Sequence, residues 1–112
     1  MKRFLASTFA MAALPLTAFA QNDECSTAQV VTAGSYAFDT TLATLSPELW
    51  PCANAGGPDL WYTYTATTTG NVTFSTCTGT SFDTALEAFD GTCANLASIA
   101  CNDDSCGLQS RV

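Results

Sequence analysis

The clearest pattern in the chain is a period-two alternation of apolar and polar positions in short runs. Over residues 60–67, Leu60, Tyr62 and Tyr64 fall on one face and Trp61, Thr63 and Thr65 on the other, which predicts a half-buried strand. Val72, Phe74 and Thr76 alternate with Thr73, Ser75 and Cys77 in the next run, and Gly70-Asn71 between the two is a hairpin signal. Earlier, a Gly34-Ser35 turn precedes Tyr36, Phe38 and Thr40, which alternate with Ala37, Asp39 and Thr41. Residues 84–89 place Leu86 and Ala88 on one face and Ala85, Glu87 and Phe89 on the other, and Asp90-Gly91 is expected to end that strand as a turn. Residues 97–101 form a shorter strand before an Asn102-Asp103-Asp104 turn, and Ser110-Arg111-Val112 reads as the opening of one more. Residues 42–59 carry Pro47, Pro51, Gly56-Gly57 and Pro58 and predict a long irregular loop. Threonine-rich short strands with Gly and Pro turns, and no sustained helical period, predict an all-β antiparallel sandwich.

The first twenty residues break this pattern. Lys2 and Arg3 precede a short apolar run over 4–16, and Ala18-Phe19-Ala20 has the small-x-small form of a secretory cleavage site. Residues 1–20 therefore read as a signal peptide and 21–112 as one mature domain. The apolar run falls short of the roughly 20 residues a membrane helix needs, and no membrane span is expected elsewhere. Loss of Lys2 and Arg3 moves the formal charge from −7 to −9 and leaves Arg111 as the only basic side chain. Such a surface repels nucleic acid, whose binding depends on Lys and Arg neutralising phosphates, and it is equally unsuited to anionic lipid.

A domain this small buries only roughly 60–65% of its unfolded surface, so an added constraint is expected. Six cysteines, Cys25, Cys52, Cys77, Cys93, Cys101 and Cys106, all follow the cleavage site. An even set in an exported chain reads as three disulfides. With no histidine and no C-x-x-C pair, zinc is the weaker reading. Pairing does not follow from spacing; the preferred guess is Cys25–Cys52, Cys77–Cys93 and Cys101–Cys106.

Catalysis finds few candidates. The absence of histidine, and of lysine after cleavage, removes the usual bases for a Ser or Cys nucleophile. A carboxylate pair among Asp83, Glu87, Asp90, Asp103 and Asp104 leaves a small hydrolase as a minor alternative, since nothing in the spacing singles out an acid and a base. Calcium is the stronger option. Asp90 sits at the far end of the expected hairpin, whereas Asp83 could lie near Asp103 and Asp104. Those three carboxylates, the Asn102 amide and backbone carbonyls would supply the roughly six to eight oxygens calcium takes. The simpler reading, that 102–104 is a turn bonded to its own backbone, carries more weight from sequence alone. Trp50 and Trp61 are candidate binding aromatics, though core or edge packing is the commoner fate of Trp. Asn71-Val72-Thr73 is a glycosylation sequon.

The segments Asn22-Asp23-Glu24-Cys25, Asp59-Leu60-Trp61-Tyr62-Thr63-Tyr64, Gly70-Asn71-Val72-Thr73-Phe74-Ser75-Thr76-Cys77, Phe82-Asp83-Thr84-Ala85-Leu86, Phe89-Asp90-Gly91-Thr92-Cys93 and Cys101-Asn102-Asp103-Asp104, taken in order, resemble the bacterial pre-peptidase C-terminal domain in its cysteine-rich form. The resemblance implies a secreted jelly-roll-like sandwich that serves as a non-catalytic accessory module. It would act in adhesion, substrate targeting, secretion or stability, with extracellular polysaccharide or protein, or other domains of a longer parent chain, as partners. It also implies further strands beyond Val112, so the domain is expected to be C-terminally incomplete. A narrower resemblance, over Ala85-Leu86-Glu87-Ala88-Phe89-Asp90-Gly91, is to the CUB domain, which implies a calcium-stabilised extracellular interaction domain as the alternative.

Overall fold

The computed structural model describes residues 20–47 and 56–112. Trp50, Cys52 and all of the predicted signal segment except Ala20 lie outside the described residues. A short 3-10 turn, Cys25–Thr27, leads into β1 (Gln29–Val31); β2 (Tyr62–Tyr64), β3 (Ala85–Thr92) and β4 (Asn95–Asp103) follow. Among the described residues the regular structure is therefore β apart from that single turn, and no helix is long and apolar enough to cross a membrane.

β1 and β2 form one two-stranded sheet, in parallel, with Gln29 opposite Tyr62 and Val31 opposite Tyr64. Parallel pairing departs from the antiparallel expectation. It requires a long crossover between the strands, and the proline- and glycine-punctuated stretch between them supplies the length. The strand expected over 36–41 is replaced by local bonds. The Tyr36 hydroxyl accepts from the Thr32 N–H at 3.0 Å, and Asp39 Oδ1 accepts from the Thr41 N–H at 2.8 Å and from its hydroxyl at 2.5 Å. Side chains that bond nearby backbone in this way compete with a sheet ladder.

The Gly70-Asn71 hairpin is also absent. Residues 74–76 pair instead with 110–112: Ser75 bridges Arg111, Phe74 and Val112 exchange bonds of 2.8 and 3.0 Å, and the Thr76 N–H donates to the Ser110 carbonyl at 2.9 Å. The expected partner Tyr64 meets Phe74 only through an edge-on ring contact with centroids 5.8 Å apart.

β3 and β4 form the second sheet, an antiparallel hairpin running from Ala85 opposite Asp103 to Thr92 opposite Asn95. The turn is therefore at Cys93-Ala94, not at Asp90-Gly91. Gly91 lies inside the strand with φ 108°, and a Cβ there would collide with the Asn95 carbonyl, so glycine is needed for close backbone approach rather than for reversal. Ala88 faces Ala100 while Phe89 faces Ser98, which leaves Ile99 as the extra residue of a bulge.

Disulfides join these parts differently from the guessed pairing. Cys25 bonds Cys93, not Cys52, with Cα atoms 5.7 Å apart, and Cys77 bonds Cys106 with Cα atoms 5.8 Å apart. Cys101 is bridged too, so it does not pair with Cys106. The geometry of the hairpin explains why. Cys93 sits at its tip, while Thr76, beside Cys77, bonds Thr84 at its base through hydroxyls 2.6 Å apart. An eight-residue strand spans about 25 Å, far beyond the reach of a disulfide. Cys106 follows the turn at Asp104 and arrives next to Cys77 because 110–112 pairs with 74–76.

The interior is unusual in being polar. Val31 is the one buried hydrophobic residue among those described, whereas Asn22, Asp23, Ser46, Asp59 and Ser110 are all buried.

Candidate functional site

Two polar clusters organise the molecule, and one of them exposes chemistry. In the N-terminal knot, Asp23 accepts from the Thr44 N–H at 2.6 Å through Oδ1 and from the Thr44 hydroxyl at 2.8 Å through Oδ2. Asp59 Oδ1 accepts from the Ser46 N–H at 2.7 Å. The Asn22 carbonyl accepts from the Trp61 N–H at 2.8 Å, and the Asn22 side-chain amide donates back to the Trp61 carbonyl at 2.9 Å. Trp61 also donates its Nε1–H to Ser46 Oγ at 2.8 Å and stacks on Phe89 at 5.6 Å between centroids. The polar edge and one face of this candidate binding aromatic are thus engaged within the protein. Sequence reasoning did not single out Asp23, Ser46 or Asp59, because nothing local marks a polar residue whose donor lies 13 or 21 positions away.

The second cluster is built around Ser110, which is fully buried. Its N–H donates to Thr76 Oγ1 at 3.0 Å and its hydroxyl donates to the Thr84 carbonyl, while the Asp104 N–H donates to Ser110 Oγ at 3.3 Å. One serine therefore holds the start of β3 against the end of β4. Antiparallel register places Asp103 opposite Ala85, and Asp104 turns the chain with φ 66°, a left-handed conformation that Asp tolerates better than most residues. The result is a corner in which Asp83, Asp103 and Asp104, all exposed, each offer a carboxylate oxygen within 4.8 Å of the others. Partial desolvation, then the charges of Asp103 and Asp83, raise the Asp104 carboxyl above its ordinary value.

Three oxygens at this spacing match what a hard cation takes from acidic side chains. Asn102 Oδ1 accepts from the Arg111 N–H at 3.0 Å, so the amide oxygen holds the 110–112 segment in place. Asp90 is opposite Ala97, well along the hairpin, and accepts from the Gly91 N–H at 2.9 Å. Glu87 lies opposite Cys101, and both its carboxylate oxygens are buried with no hydrogen-bond partner. The five acids of this region are thus divided among three environments.

Comparison of the chain with protein-family models, with curated proteins and with solved structures finds no match.

Proposed function

We propose that the chain is an exported, non-catalytic accessory module, a jelly-roll-like sandwich of the pre-peptidase C-terminal type, that attaches to extracellular polysaccharide or protein or supports a larger parent chain. The observation that carries this reading is the cross-linking: Cys25–Cys93 and Cys77–Cys106 are bonded and Cys101 is bridged as well. Such bonds form and persist in oxidising compartments, in keeping with a basic, apolar, small-residue leader. Exposed Tyr36, Phe38, Tyr62 and Phe82 give the surface apolar and aromatic area for attachment. Retention of the purified domain on at least one insoluble polysaccharide or protein matrix is the expected result. No retention across a broad panel, together with reduced export of the parent on deletion, would replace attachment with a purely supporting role.

A second reading, a calcium-stabilised interaction domain, is favoured by the convergence of Asp83, Asp103 and Asp104. It rests on the match between their oxygens and the preferences of calcium, whose extracellular modules bind at roughly 10⁻⁴–10⁻³ M. Millimolar calcium should then raise the melting temperature, and Asp83→Asn with Asp103→Asn should abolish the rise. A melting curve indifferent to calcium rejects this reading.

A further inference from the structure

The reading of residues 1–20 as a leader, on which this inference rests, places Gln21 at the new N-terminus. We propose that Gln21 is a modification site, closing on its own α-amine to a pyroglutamyl residue once the leader is removed. In this step the neutral α-amino nitrogen attacks the side-chain Cδ. A new C–N bond closes a five-membered lactam, the bond from Cδ to the side-chain nitrogen breaks, and ammonia leaves with the proton given up by the amine. No oxidant, reductant or second substrate is needed.

The structure leaves Gln21 free to do this while fixing its neighbours. Gln21 is exposed, and among the described residues its side-chain amide makes no hydrogen bond. Asn22, the next residue, is buried with 8% of its surface exposed, and it is bonded to Trp61 through both backbone and side chain. Asp23 follows, 6% exposed and bonded to Thr44. The fold therefore grips the chain closely from residue 22 onward. On the leader side, the Ala20 N–H makes a long bond of 3.4 Å to the Leu42 carbonyl, so separating Ala20 from Gln21 costs the domain little. The amine and the amide belong to one residue, and such intramolecular placement is equivalent to a very high effective concentration.

Cyclisation also has an electrostatic consequence. It removes the terminal ammonium and leaves Arg111 as the only cation of the mature chain.

The test is the intact mass of the chain after export from a host that receives it with its own first twenty residues, measured after reduction of the disulfides. The expected product spans 21–112, is lighter than that sequence by one ammonia, and is blocked to stepwise N-terminal degradation. The Gln21→Ala variant should begin at the same position, carry a free amine and show no loss. A product that begins at Gln21 and still carries intact glutamine after prolonged incubation at about pH 8, where a substantial share of α-amines are neutral, overturns the proposal and leaves the export reading standing. A product that begins elsewhere overturns the proposal together with the placing of the cleavage site after Ala20.

Discussion

Aspartates in the two clusters have opposite circumstances. Asp23 and Asp59 are buried, and each carboxylate receives a backbone N–H from a chain segment remote in sequence. Asp83, Asp103 and Asp104 are exposed and face one another. A buried carboxylate that accepts charge-assisted bonds holds segments together, and its desolvation is offset by those bonds. Carboxylates that converge without donors repel, and the arrangement improves only if a proton or cation joins them. The difference lies in the partners, not in the residue type.

The disulfide between Cys25 and Cys93 fastens the β3–β4 hairpin to the chain beside the N-terminal knot, so its loss should be the most damaging change. It closes a sequence separation of 68 residues, for which chain-entropy arguments give roughly 4 kcal/mol. Cys25→Ser with Cys93→Ser should lower stability by about that amount in denaturant unfolding. A loss confined to hydrogen-exchange protection of the hairpin would instead mean that the two regions fold separately.

Asp59→Ala should come next. It removes the acceptor of the buried Ser46 N–H, and stranding such a donor costs about 1–3 kcal/mol. An equal penalty from Asp83→Ala, measured in the same way, would erase the contrast between the clusters.

Glu87 tests the rule from a third environment. Its oxygens are buried without partners, so Glu87→Leu should raise stability by about 1 kcal/mol. Destabilisation instead would reveal that the carboxylate has a binding role.

The smallest effect is expected at Asp104, whose carboxyl is raised by desolvation and by its two neighbours. A raised carboxyl disfavours the folded state when ionised. The penalty is therefore present above the folded value and relieved as pH falls through it towards the unfolded value. Asp104→Asn, which keeps a residue tolerant of the left-handed turn, should melt slightly higher than the parent at pH 7. The gap should close below about pH 4, where the parent carboxyl is protonated as well. A gap that persists in acid would place the effect in the turn rather than in the charge.

The hairpin was legible in outline because residues 84–89 alternate as a strand should, with Leu86 and Ala88 on one face and Ala85, Glu87 and Phe89 on the other. The turn expected at 102–104 was legible only in part: Asn102 and Asp103 belong to β4, and Asp104 alone turns the chain. The turn between β3 and β4 was misplaced because Asp90-Gly91 is a turn signal in any local reading. Only the approach of Asn95 reveals that Gly91 is needed within the strand. The Gly70-Asn71 hairpin failed for a related reason. Residues 74–76 have two possible partners, and local pattern cannot weigh Tyr64 against a segment more than thirty positions downstream. At the candidate site, the proximity of Asp83 to Asp103 and Asp104 could be anticipated from antiparallel geometry. The engagement of Asn102 with Arg111 could not.

Composition and short-range alternation are enough for the β character of the chain, its strong acidity and the expectation of cross-links. Disulfide partners, the parallel pairing of β1 with β2 and the separation of the acids into bonded and facing sets were decided only by the tertiary structure. Each of these depends on which distant segments are brought within a few ångströms, and a hydrogen bond or disulfide is indifferent to separation along the chain.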